Sequence, residues 1–208
     1  MSGGWRGTLV ATALVSALAL FAFAHVTRGF RVVTSDGARQ YDLARAPLAL
    51  PGIELADASG RRFPLREPGS AQRQTLVTFL YTHCLTVCRS SASGQAYLQA
   101  ELVARGLAGR YRLLAISFDP GRDTPDVLSA YARKQGADPA VWRMATVADA
   151  ADLPALLKAF GIVVLPDGRG DYVHNAAHFL IDAQGRLARA YDIDRPDAVL
   201  ADIVHAQR

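Results

Sequence analysis

Cysteine is scarce in this chain. Of 208 residues, two are cysteine, so any disulfide, thiol couple or thiolate metal site must use Cys84 and Cys88. Lysine is nearly absent as well: arginine carries the basic charge almost everywhere, beside Lys134 and Lys158. The basic residues form no cluster interleaved with aromatics. A formal charge of +4 spread in this way describes a solvated surface and argues against a nucleic-acid partner. No repeat and no low-complexity segment appears. Near the N-terminus it is charge that is missing, from Thr8 to Ala24, "TLVATALVSALALFAFA". That run lies at the short limit of the ~17–25 residues a spanning helix needs and exceeds the ~7–15 residues of most signal-peptide cores. It reads as a membrane anchor over residues 1–27, with Ala22-Phe23-Ala24 offering the alternative of a cleaved signal.

Half of the residues are hydrophobic, enough for one cored domain plus an appendage. Residues 28–50, with Ser35, Gly37 and Pro47, read as a linker, and residues 51–208 as the domain. Ile53–Asp57 and Arg62–Leu65 flank a turn and predict a hairpin. Thr75–Tyr81 and Arg112–Phe118 are apolar runs of buried-strand type. Thr86–Arg105 has helical spacing. Thr124-Pro125 opens a helix with an N-cap threonine and proline in the first turn. Trp142–Thr146 predicts a strand, and Ala148–Phe160 a helix closed by Gly161. Ala177–Asp182 and Leu187–Tyr191 predict a second hairpin, before a last helix from Pro196 to His205. Strands alternating with helices imply a parallel sheet, to which the closing hairpin adds antiparallel strands. The expected class is α/β: a thioredoxin-like domain, with a central mixed sheet flanked by helices, behind an N-terminal transmembrane helix.

The thiols fall where the strand Thr75–Tyr81 gives way to the next helix. A helix N-terminus carries partial positive charge and favours thiolate, the form that binds metals and attacks disulfides. Within a helix, residues i and i+4 hold their Cβ atoms ~5–6 Å apart, while a disulfide wants ~3.5–4.5 Å. Closure therefore requires Cys84 in the non-helical entry. Two thiolates on one ion, with metal–sulfur bonds of ~2.3 Å, need no such closure. Spacing alone leaves a structural disulfide, a redox couple and a metal site open.

A metal site needs a third donor. His25 and His205 sit at the chain's two ends, and His83 adjoins Cys84. His174 lies in the loop that enters the strand Ala177–Asp182, and in a thioredoxin-like fold that loop faces the thiol loop. His178 is the fallback ligand, or a histidine lining the site, and would share a strand face with His174 if that strand began early. Asp119 reads as a loop-bracing residue, and Arg122 with Asp123 as a surface ion pair at a helix start. Two thiolates and one imidazole suit Cu(I) and tolerate Cu(II). A structural zinc wants four protein ligands, and no fourth is evident.

Three stretches, "TFLYTHCLTVC", "LLAISFDPGRDTPDVLSAYA" and "HNAAHFLIDAQGRL", resemble the Sco/SenC copper proteins over roughly residues 51–195. The resemblance implies a membrane-anchored thioredoxin-like domain that helps assemble the copper centre of cytochrome c oxidase. It implies one copper held by Cys84, Cys88 and His174, with Asp119 nearby. Leu85 stands where the family usually has proline, and Val173 where it often has aspartate, which removes a possible acceptor for the ring. The implied partner is the copper-bearing oxidase subunit or another copper or thiol protein. The implied place is a bacterial inner membrane with the soluble domain in the periplasm, where a lone cysteine pair fits an oxidising compartment. The competing function is a membrane-anchored thiol-disulfide oxidoreductase that cycles Cys84 and Cys88.

Overall fold

The computed structural model describes residues 4–32, 34–66, 73–83 and 87–206, with the main chain alone for residues 4, 35 and 87–91. Two compact units divide at residue 45.

The first unit opens with helix α1 (Gly4–Val26), 23 residues long. At 1.5 Å per residue it reaches roughly 34 Å, against a hydrocarbon thickness of ~30 Å. Trp5–Val26 is long and apolar enough to cross a membrane. Part of the expected linker is a second helix, α2 (Ser35–Arg45). Gly37 reads as a breaker, yet it sits in the first turn, where Thr34 Oγ1 accepts from its amide at 3.0 Å. Asp36 in the first turn and Arg45 in the last match the helix dipole. Arg28 Nη2 donates to Asp42 at 2.8 Å, tying α2 to the residues that follow α1.

The second unit is an eight-stranded mixed sheet with helices on both faces. Its elements in chain order are β1 (Leu48–Ala49), β2 (Glu54–Asp57), β3 (Arg62–Pro64), β4 (Gln74–Leu80), α3 (Val87–Ala104), β5 (Tyr111–Ser117), α4 (Pro125–Gln135), β6 (Trp142–Val147), α5 (Leu153–Phe160), β7 (Val164–Pro166), β8 (Tyr172–His174), β9 (Ala177–Ile181), β10 (Arg186–Asp192) and α6 (Pro196–His205). The sheet order is β1-β10-β9-β4-β5-β6-β2-β3. Strands β4, β5 and β6 run parallel. The two predicted hairpins lie antiparallel on either side of them. The predicted helix over 148–160 is broken: a 3₁₀ turn covers Ala150–Asp152, and α5 starts after it with proline in its first turn.

Alternation along β4 assigns the two faces. Thr78 accepts from Gln95 of α3 at 2.9 Å. Its neighbour Phe79 packs edge-on against Phe160 of α5 at 5.1 Å, so α3 and α5 cover opposite sides. Phe179 of β9 completes that cluster, 5.2 Å from Phe160 and 6.2 Å from Phe79. Each such pair contributes about 0.5–1.5 kcal/mol beyond its burial.

Strands β7 and β8 are the main element missing from the sequence reading. They form a separate two-stranded sheet, and Val164, Leu165 and Pro166 face His174, Val173 and Tyr172 in turn.

Candidate metal centre

Parallel strands place their carboxyl ends together. The register pairs Leu80 of β4 with Ser117 of β5, so the next residues, Tyr81 and Phe118, stand side by side with ring centroids 5.2 Å apart. Thr82 and His83 continue toward the thiols. Cys84 lies outside the described residues. Cys88 is the second residue of α3, in its first turn.

His174 comes to this end of the sheet on the hairpin. Its ring is 4.8 Å from that of Phe118 and 6.1 Å from that of Tyr81. Tyr81 is three residues before Cys84. The His174 Nδ1 atom lies 3.0 Å from the carbonyl oxygen of Asn175. A carbonyl only accepts, so Nδ1 carries the proton and the neutral ring presents its lone pair at Nε2. Burial pushes the ring's pKa below the ordinary histidine value, partly countered by the Asn175 bond. A neutral imidazole with a fixed tautomer is the form that ligates a metal. Val173, where the sequence lacks the expected acceptor, is 63% exposed and sits on the opposite face of β8 from His174. The main chain of Asn175 takes the acceptor role instead.

His178 belongs elsewhere. β8 ends at His174 and β9 begins at Ala177, in a different sheet, so the two histidines do not share a strand. The intervening Asn175 binds back to Val163 and Gly161, which turns the chain. His178 is fully buried, its Nε2 is 3.1 Å from the Ile193 carbonyl, and it fills the space beside Gly94 of α3. Burial lowers its pKa to about 4.

The "DPGRD" loop departs from its expected role. Arg122 pairs with Asp119, not with Asp123. Asp119 also braces the turn with its carbonyl, which accepts from the amides of Arg122 at 3.1 Å and Asp123 at 2.9 Å. Asp123 is not a surface residue; its exposure is 0%. Its Oδ2 accepts from the Thr82 amide at 3.0 Å and from Ser117 Oγ at 2.5 Å, and its Oδ1 accepts from Thr82 Oγ1 at 2.5 Å. Asp123 thus pins the main chain two residues before Cys84. The expected N-cap holds, with Thr124 accepting from Val127. Asp123 turns inward because Ser117 and Thr82, at two adjacent strand ends, present donors that only an acceptor can satisfy.

The aromatic wall of Tyr81, Phe118 and Tyr172 was also missed. Tyr172 lies 5.4 Å from Tyr81 and 5.8 Å from Phe118. A period-2 reading of "YVH" would have put Tyr172 and His174 on one strand face. Among the described residues no three metal-ligating side chains come together.

The sequence profile of SCO1/SenC matches residues 54–207. The chain belongs to the SCO1/SenC family. It is 26% identical over 119 residues, 56% of its length, to a SCO1 protein homolog of Bacillus subtilis, and the match spans 61% of that relative. Its fold is similar to that of BsSco, a member of the Sco family of cytochrome c oxidase assembly proteins in which a disulfide switch was identified. The TM-score is 0.66, with 20% identity, 77% of this chain and 94% of that one covered. Arabidopsis thaliana ScoI with copper bound superposes with a TM-score of 0.61 at 18% identity, covering 74% of this chain and 98% of that one. The thioredoxin-like fold and the membership are thereby shown.

Proposed function

We propose that this SCO1/SenC chain binds one copper ion through Cys84, Cys88 and His174 and serves in maturing the copper centre of cytochrome c oxidase. One observation carries the reading: the His174 imidazole, its tautomer set by Asn175, packs against the tyrosine that leads into the thiol pair. Two thiolates and a neutral imidazole are soft to borderline donors, matched to Cu(I) and acceptable to Cu(II). With three protein donors, a partner's ligands can reach the ion, which suits a protein that hands copper on. The membership and the relatives with copper bound support the same cargo. Asp119 acts through Arg122, and His178 acts indirectly by filling the face of α3, the helix that carries Cys88. Copper titration of the full chain in detergent tests the ligand set. His174→Ala is expected to weaken binding by about 100-fold or more, beyond the 10–100-fold typical of outer partners. Unchanged affinity would remove His174 from the site.

The position of Cys88 in the first turn of α3 favours a second reading, a thiol-disulfide oxidoreductase. In it the two thiols pass two electrons and two protons to an acceptor disulfide and become a disulfide themselves. Rapid multiple-turnover reduction of an oxidised peptide by copper-free protein would favour this role. The lone cysteine pair, behind an N-terminal apolar helix, supports a domain on the periplasmic side of a bacterial inner membrane. A reporter active only in the cytoplasm, fused after Arg208, is expected to be silent; activity there reverses the topology.

A further inference from the structure

We propose that Arg122 is the positioning residue for His174: it clamps the β7–β8 hairpin onto the end of β4 and so sets the imidazole against the approach to the thiol loop. The inference rests on the reading of His174 as a copper ligand.

The hairpin needs such a clamp. It shares no ladder with the eight-stranded sheet, and an isolated two-stranded hairpin is marginal in water. Its base is tied to the end of α5 by Asn175, whose Nδ2 donates to the Gly161 carbonyl at 3.1 Å. Its tip is closed from within by Asp167, which accepts from the amides of Arg169 and Asp171. Neither set of bonds reaches the ends of β4 and β5, where the rings of Tyr172 and His174 rest on those of Tyr81 and Phe118. Arg122 does. Its Nη1 donates to the Gly170 carbonyl at 2.9 Å, at the tip, and lies 3.9 Å from Asp171 Oδ1. Its Cζ lies 5.1 Å from the ring centre of Tyr172 on the hairpin and 5.7 Å from that of Tyr81 at the end of β4. Its Nε donates to Asp119, which fixes the plane of the guanidinium. The remaining nitrogen, Nη2, is buried without a hydrogen-bond partner, a burden the two aromatic rings ease by cation–π attraction. Tyr172 and His174 share a strand face, so holding Tyr172 holds the ring two residues on.

The planar fork matters. A guanidinium stacks on rings while donating in its own plane to a carboxylate and a carbonyl; an ammonium cannot do both. Arg122→Met keeps the apolar stem and loses every donor, while Arg122→Lys keeps the charge and a donor.

The test uses the full chain in detergent micelles, titrated with Cu(I) and Cu(II), together with amide hydrogen exchange of the metal-free protein. Arg122→Met is expected to raise exchange across residues 164–174 by about 10-fold or more. Copper affinity should fall by about 10–100-fold, and the thiolate-to-Cu(II) charge-transfer band should shift. Arg122→Lys should fall between the two, and carries the test if Arg122→Met does not fold. His174→Ala serves as the reference: it should lose copper while loosening the hairpin less than Arg122→Met does, because Tyr172 and Arg122 keep their contacts. Unchanged exchange in Arg122→Met refutes the clamp. Faster exchange with an unchanged copper affinity and spectrum refutes positioning. If His174→Ala keeps its copper affinity, the ligand reading falls and the positioning claim with it, while the exchange data still decide whether the clamp exists.

Discussion

Asp123 is the residue whose replacement tests most directly how the thiol loop is held. It is fully buried and accepts three hydrogen bonds, two from Thr82 and one from Ser117. Hydrogen bonds to a charged acceptor contribute about 1.5–3 kcal/mol each, against about 0.5–1.5 for neutral pairs. Three bonds converging on one carboxylate are not additive. The expected cost of Asp123→Ala is therefore about 3–5 kcal/mol, a large part of the ~5–15 kcal/mol that holds a typical domain. Asp123→Asn keeps the size and one acceptor oxygen. The amide group can face Thr82 Oγ1, whose hydroxyl rotates to accept, so the cost falls to about 1–2 kcal/mol. Urea unfolding followed by circular dichroism measures both values. A local readout accompanies the global one: with the hold on Thr82 weakened, Cys84 and Cys88 should alkylate faster in the folded Asn variant than in the parent chain. A cost below about 1 kcal/mol for Asp123→Ala, or equal costs for Ala and Asn, would refute the view that these three bonds restrain the loop.

His178 gives a pH signature. Its folded pKa is lowered from 6.5 to about 4 by burial, so between those values the unfolded chain takes up a proton that the fold refuses. Stability should be flat above pH 6.5 and fall by about 3 kcal/mol on descent to pH 4. His178→Gln should remove most of that slope in urea titrations at pH 7 and 4.5; an unaltered slope would assign it to other groups. Gly136 caps α4 at φ 67°, a left-handed conformation that costs a Cβ-bearing residue energy. Gly136→Ala should lower stability by about 1 kcal/mol, and a stabilised variant would contradict the cap assignment.

The main elements of the second unit were legible because their signals are local. Apolar runs marked β4 and β5, and Thr124-Pro125 marked the start of α4. The thiol pair and His174 stood out as candidate donors by residue type. The hairpin β7–β8 was not: its strands are three residues each, too short to show a period, and Pro166, Gly168 and Gly170 read as loop. The inward turn of Asp123 was equally hidden, because its partners are 41 and 6 residues away in sequence. Arg122 and Asp123 are adjacent charges of opposite sign, which reads as a surface pair.

Composition and short-range pattern were enough to establish an apolar N-terminal helix, an alternating α/β domain and one place for thiol chemistry. Hydrophobic periodicity and backbone propensity act over a few residues and need no fold to be read. Which side chains meet was settled by strand register. Aligning Leu80 with Ser117 brings Tyr81 beside Phe118, buries Asp123 against Thr82, and leaves an aromatic shelf on which a distant hairpin sets His174. Such meetings depend on packing across the sheet, and no window along the chain contains them.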